Sequence, residues 1–417
     1  MNSAPAIRAA SPAQVARLRK RYASERRFRW LGIAAIGFSA LALAFLLLSM
    51  TSAGVDGFRR AEMRFPLDLQ TYPPLVDSSR MAQADAVAAL EAAGLPAAIT
   101  AAATQTLGAD AAEQIDSGAW RDVAARIADD PSLLRAKFEV SVPVSGTLAG
   151  GMRGSASPQV QALAQRLQRG GHLRWVADPG FLARSDATDP QAAGIWAALK
   201  GSMMTMLVTL LLAFPIGVLA AIYLEEYAPR NAWTDWIEIS INNLAAVPSI
   251  IFGLLGLAVF LALFPSLRSA PIIGGMTLAL MTMPVIVISA RNAVKAVPPS
   301  IRDGALAIGA SRVQVVFHHI LPLALPGILT GTIIGMARAL GETAPLLMIG
   351  MRAFIATPPA GFTAPSSVLP VQIFLWSDEI DRGFVARTSA AIIVLLLFLL
   401  VMNGLAIYLR NRFEQRW

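Results

Sequence analysis

Residues 297–326 read VPPSIRDGALAIGASRVQVVFHHILPLALP, and the fold depends on how this stretch is understood. Its residues favour helix, yet it is too polar to cross a bilayer and too apolar for a plain linker. Ser300 is placed to cap a short helix, and Gly309 permits a sharp turn. A second helical run is expected from about Ser311 to Ile320, ended by Leu321-Pro322. Two short helices about a glycine hinge form a compact knob, of the kind that docks in a partner's groove. A hairpin resting on lipid headgroups is the other reading open at this point. On either side the chain turns strongly apolar, over Ile272–Ala290 and Pro326–Gly350. Each run is long enough to cross about 30 Å of hydrocarbon as a helix. The knob therefore joins two membrane spans.

Four more apolar runs lie further out, at Trp30–Met50, Ile195–Tyr223, Trp236–Phe264 and Ser389–Leu409. Over 417 residues, 55% of side chains are hydrophobic, 15% are charged and mean hydropathy is +0.55. Soluble domains carry about 25% charge. The expected class is an all-α polytopic membrane protein with six transmembrane helices. A signal-peptide core runs only about 7–15 residues. Trp30–Met50 is longer and no A-x-A site follows, so residues 30–50 are expected to remain as an anchor.

Charge fixes the expected orientation. The tail 1–29 holds eight basic side chains against Glu25. The segment 291–325 sets Arg291, Lys295, Arg302 and Arg312 against Asp303, and the C-terminus sets Arg410, Arg412 and Arg416 against Glu414. Six spans put all three on the cytoplasmic side, with both termini there. The net charge of +8 thus reads as a topology signal and not as a nucleic-acid surface.

Residues 51–190 then fall outside, long and polar enough for a small α+β domain. Asp77-Ser78-Ser79 is placed to cap a helix over Met81–Ala93 that ends at Gly94. Lys137–Val144 and His172–Val176 read as strands, and Ser145–Pro158 as a turn or flexible loop. A spacer or docking surface is the expected role. The sequence has no cysteine, and only His172, His318 and His319 as imidazoles, so no metal site is expected. None of Lys20, Lys137, Lys200 and Lys295 follows a glycine, which excludes a phosphate-binding loop. No catalytic residue or cofactor is assigned, and any ATP must bind another chain.

The fifth span, within the domain 191–417, carries the informative charges. Gly327, Gly331 and Gly335 recur every four residues, a stripe that admits a close neighbouring helix. Arg338 and Glu342 extend it and are expected to face a helix interface or cavity. They stand four apart and can pair. A guanidinium fork suits a tetrahedral oxyanion. Glu342 would balance it when the path is empty, and Pro345 would loosen the helix beyond. A static pair that fixes packing is the alternative. Lys200 is expected to snorkel to headgroups, and Asn242 and Asn243 to hydrogen-bond between helices. Glu225 and Glu226 read as a solvated helix end, or more weakly as a partner contact. His318 and His319 read as loop polar groups.

The knob resembles the signature of ABC-importer permease subunits, E-A-A-x-x-x-G followed about nine residues later by I-x-L-P. Here it reads Asp303-Gly304-Ala305, Gly309, then His319-Ile320-Leu321-Pro322, with Asp for Glu, Gly for Ala, and the isoleucine one place on. The stretches Gly217–Pro229, Asn242–Phe260, Arg338–Leu347 and Leu369–Ser377 are similar to phosphate-importer permeases of the PstA type. The resemblance covers about residues 193–417. It implies a type I permease fold in the bacterial inner membrane and a coupling loop at 291–325. That loop would be worked by a dimer of cytoplasmic ATP-binding subunits through Asp303, Gly304, Ala305, Gly309, Leu321 and Pro322. It also implies a homologous second permease and an extracytoplasmic phosphate-binding protein. A permease for sulfate or molybdate fits the same charges. A membrane-anchored sensor is the rival from another class. It needs an output module, for which the 29-residue tail and the eight-residue C-terminus are expected to leave no room.

Overall fold

The computed structural model describes residues 12–71, 86–351 and 354–413. The Asp77-Ser78-Ser79 cap, the start of its helix at Met81, and the charges of Arg8, Glu414 and Arg416 lie outside them. The chain divides into two units, Met1–Ser52 and Ala53–Trp417. The described residues of the first lie in one helix, α1 (Pro12–Val55), whose apolar stretch exposes Trp30, Ile36, Phe38, Leu41, Phe45 and Leu48.

The second unit begins with a small sheet. Strand β1 (Arg59–Asp68) is followed by helices α2 (Ala86–Ala92), α3 (Leu95–Leu107) and α4 (Ala119–Asp129). Then come β2 (Lys137–Pro143), α5 (Gly146–Met152), α6 (Pro158–Arg169) and β3 (Leu173–Ala177). The antiparallel order is β2-β1-β3, with Met63 opposite both Val142 and Leu173. The central strand alternates with period two: Ala61, Met63, Phe65 and Leu67 point into a core shared with Leu95, Ile99, Trp120 and Ile127. The α2–α3 pair is apolar over its length, and that apolarity is spent in this core, where Leu90, Leu95 and Ile99 are buried.

The expected loop Ser145–Pro158 is instead partly helical. Ser145 Oγ accepts from the Leu148 amide at 3.3 Å and starts α5. Gly151 has a packing reason: a Cβ there would stand 2.9 Å from Val160 Cγ1.

Five helices among the described residues are long and apolar enough to cross a membrane: Arg21–Phe58, Trp196–Tyr227, Pro271–Lys295, Arg312–Gly341 and Gly383–Arg412. The expected third span, Trp236–Phe264, is not one helix. It is α8 (Ala232–Ala245) and α9 (Ser249–Leu255), bent by 105° at Pro248. Proline restrains its predecessor from helix and has no amide to donate, which accounts for the break. The helix before them, α7 (Trp196–Ile222), runs on through a wide π-type turn at Tyr223–Tyr227.

The long helices pack through small residues. Helix α10 (Pro271–Lys295) lies against α7, where Gly275 meets Val208 and Gly217 meets Ile286. After the short α11 (Pro299–Ala307) comes α12 (Leu321–Gly341), then α13 (Ala344–Met348), α14 (Leu369–Ser377) and α15 (Gly383–Phe413). The expected span Pro326–Gly350 therefore stops short, at Gly341. Its far end is the separate α13, and Pro345 there lies against Gly253 of α9.

One buried hub joins the sheet-bearing part to α15. Arg387, 1% exposed, donates to the carbonyls of Pro190 and Gly57 at 2.6 Å and to Asp178 Oδ2 at 3.0 Å. Asp178 also takes both terminal nitrogens of Arg184, at 3.0 and 2.6 Å. Phe181 lies under the Arg387 guanidinium and leads into a row with Trp376 and Phe384. Trp376 donates its indole N–H to Asp186 at 2.9 Å. Burial pushes the Asp186 carboxyl above its ordinary range, although that N–H works in the opposite direction.

Candidate functional site

At the end of α7 far from the sheet, the sequence motif and its neighbours converge. Pro298-Pro299 opens α11: an extended Pro298 is its N-cap, and Ser300 does not cap it. Asp303, Gly304, Leu306 and Ile308 are exposed, Ile308 at 82%, whereas Ala305 is buried against Val315 and Val316. Gly309 turns the chain at φ +90°, with no atom within 4 Å of where a Cβ would stand. A side chain at that position would meet backbone strain and no steric wall.

Beyond the turn, Ser311 and Gln314 form a reciprocal capping box. The helix then does not end at Leu321-Pro322. A wide π-type turn at Val315–Ile320 leads directly into α12, and Pro322 follows it as the second residue of α12. His318 and His319 belong to that turn. With Pro298, Ile301 and Pro322 they line a recess of about 660 Å³ behind α11.

The sequence reading missed what holds α11 in place. Glu225 and Glu226 are not a solvated helix end. Glu226 takes Nε and Nη2 of Arg302 at 3.0 and 2.7 Å. Glu225 takes Arg291 Nε at 2.7 Å, and Arg291 gives its Nη2 to Glu238 of α8 at 2.8 Å. Both acids are nearly buried. The remaining donors of Arg302 reach the carbonyls of Val297 and Val294, at 2.8 and 2.9 Å, in the last turn of α10 and just beyond it. The available signal was two adjacent acids ending an apolar helix, in a chain whose next loop carries several arginines. Charges at such places seek partners.

The glycine stripe of α12 lies against α10. A Cβ on Gly331 would come within 2.1 Å of Ser289 Cβ, on Gly327 within 2.7 Å of Ala293 Cβ, and on Gly335 within 2.9 Å of Thr282 Cγ2. Arg338 and Glu342 do not continue into that contact. By their height the buried positions are Ala339 and Leu340, which share a core with Leu278. The Arg338 side chain is 45% exposed, and Glu342 lies one residue past the helix end with extended backbone. The two sit 3.6 Å apart, a loose pair and not a hydrogen-bonded fork. Asn242 and Asn243 are exposed on α8 and join no second helix.

The arrangement is a bundle of apolar helices with an exposed cation near the end of one of them, and a short helix, α11, clamped beside the end of α7. Residues 213–415 match the family of binding-protein-dependent transport system inner membrane components, and residues 15–162 match a domain of unknown function, DUF3333. The chain is 32% identical over 228 residues to the phosphate transport system permease protein PstA of Yersinia pestis, covering 54% of this chain and 75% of that one. It is 34% identical over 198 residues to the probable ABC transporter permease protein YqgI of Bacillus subtilis, covering 46% and 66%. It is also similar to the inward-facing methionine ABC transporter MetNI, at 16% identity and TM-score 0.43, covering 53% of this chain and 98% of that one. The chain belongs to the PstA-type family of ABC-importer permeases, multi-pass proteins of the bacterial inner membrane. Such permeases are not enzymes themselves, and ATP is hydrolysed on a partner chain.

Proposed function

We propose that this chain is one permease subunit of an ATP-driven importer of inorganic phosphate. It works with a homologous second permease, a dimer of cytoplasmic ATP-binding subunits and an extracytoplasmic phosphate-binding protein. Its termini and α11 face the cytoplasm, and the sheet-bearing part faces outward. The exposed Asp303, Gly304, Leu306 and Ile308 form the surface that meets the ATP-binding partner.

The observation that carries the substrate is Arg338. It is a permanent cation in an otherwise apolar helix, half exposed and only loosely held by Glu342. A side chain in that state can exchange a carboxylate for a phosphate, whose oxygens its fork fits. Likeness to PstA supports the same anion.

Uptake of labelled phosphate into vesicles holding the reconstituted complex tests the reading, with sulfate as competitor. Arg338→Gln is expected to stop uptake while the complex still assembles. Arg338→Lys is expected to keep a fraction. Full transport by the neutral double variant Arg338→Gln/Glu342→Gln would instead assign the pair to packing, and equal competition by sulfate would assign the path to oxyanions in general.

A further inference from the structure

The clamp on α11 is unequal on its two sides. Toward α7 and α10 the helix is fixed by one guanidinium: Arg302 reaches Glu226 through two nitrogens and the carbonyls of Val297 and Val294 once each. These bonds are directional, and Arg302 and Glu226 are 23% and 13% exposed. The next acid along, Glu225, fastens α10 and α8 through Arg291, so consecutive residues of one wide turn hold three helices together. Toward α12 the connections differ in kind. The chain turns at Gly309, where a Cβ would meet nothing and where the backbone hydrogen bonds, Gly309 N–H to Leu306 and Ala310 N–H to Ala305, stay within the turn; Ala305 and Ile301 meet the wide turn at Val315–Ile320 by apolar packing. Apolar packing has no preferred direction along the contact.

We infer that Arg302 and Glu226 are positioning residues that route the motion of α11 into α7 and α10 as one rigid body, leaving α12, with Arg338, to shift against them. A push on α11 is transmitted wherever it is hydrogen-bonded and dissipated where it can slide or pivot. The consequence is relative displacement between α10 and α12, the two helices that meet along the glycine stripe. The inference rests on the coupling role proposed above for α11. It adds which helices receive the motion and which side chains carry it.

The experiment uses the full-length chain in the assembled complex, with Arg302→Gln, Glu226→Gln and Arg302→Lys compared with the parent. Assembly, ATP hydrolysis and phosphate uptake are measured on the same preparation. Uptake per ATP hydrolysed is expected to fall about tenfold in either neutral variant, as loss of one multiply bonded charge pair implies. Arg302→Lys is expected to be intermediate, since it keeps the charge and loses the fork. A merely structural role lowers assembly, hydrolysis and uptake together and leaves the ratio unchanged, and that result overturns the inference. Hydrogen exchange is followed in parallel and depends on no substrate. Amides of α11 are expected to exchange about tenfold faster in Arg302→Gln while those of β1 stay unchanged. Unaltered exchange in α11 also overturns the clamp. A parent complex that imports no phosphate would overturn the substrate assignment alone, because the exchange measurement still decides the clamp.

Discussion

Single positions in this chain are governed by two kinds of constraint, distance and charge. Gly331 is a case of distance, since a Cβ there falls within 2.1 Å of Ser289 Cβ. Gly331→Val is expected to cost about 1–3 kcal/mol by overpacking, read as a lower melting temperature in detergent. Adding Ser289→Gly should return part of the loss, because the collision is with that side chain. Asp186 is the case of charge. Burial raises its pKa in the folded chain, so folding favours the protonated form, and the ionised form weakens the fold once pH climbs past the unfolded value of about 4. Asp186→Asn removes that penalty. It is therefore expected to raise the melting temperature at pH 7, with the gain vanishing below about pH 4. A lower melting temperature at pH 7 would mean that the Trp376 hydrogen bond needs the carboxylate.

Among elements, the short helix α11 and its glycine turn show how far local sequence reaches. Gly309 has a positive φ and open space around it, so Gly309→Val should strain the turn by about 1–2 kcal/mol without any clash. Uptake per ATP is expected to drop while the spans insert normally, and unchanged uptake would show that the turn is not where coupling occurs. This turn was legible in the sequence because a glycine between two short helical runs has few other uses. The apolar spans and strands β2 and β3 were legible for the same reason, a periodicity read over a few residues. Strand β1 was not, since its arginines obscure an alternation that begins directly after an apolar helix. The break at Pro248 was passed over because hydropathy stays high across it, and hydropathy carries no direction. The continuity through Pro322 depends on a wide turn that no composition reveals. The Glu226–Arg302 and Glu225–Arg291 pairs span 76 and 66 residues, and only the packing of α7 on α10 brings them together. Arg338 and Glu342 were legible as charges in a span, but their half-open setting depends on which face of α12 packs, and at that height it is Ala339 and Leu340 that are buried.

For the molecule as a whole, the proposed orientation predicts that tags at residues 1 and 417 report the cytoplasm and that protease reaches Ser155 only from outside. Cleavage at Ser155 from the cytoplasmic face of sealed vesicles would invert the map. The hub around Arg387 has another consequence, one that concerns trimming the protein to the length of its shorter relatives. Removing residues 56–191 would take away Asp178 and the carbonyls of Gly57, Pro190 and Gln191, every acceptor that Arg387 now uses. The remaining helix would then present a bare guanidinium at the edge of the hydrocarbon, where such a group is costly. The shortened chain is expected to be degraded, and a second change, Arg387→Leu, to restore a stable membrane-inserted product on immunoblot. The sheet-bearing segment behaves in this respect as a graft whose seam is sewn into the host, so gaining or losing it requires a matching change at Arg387 in α15, 196 residues or more along the chain from each acceptor it supplies.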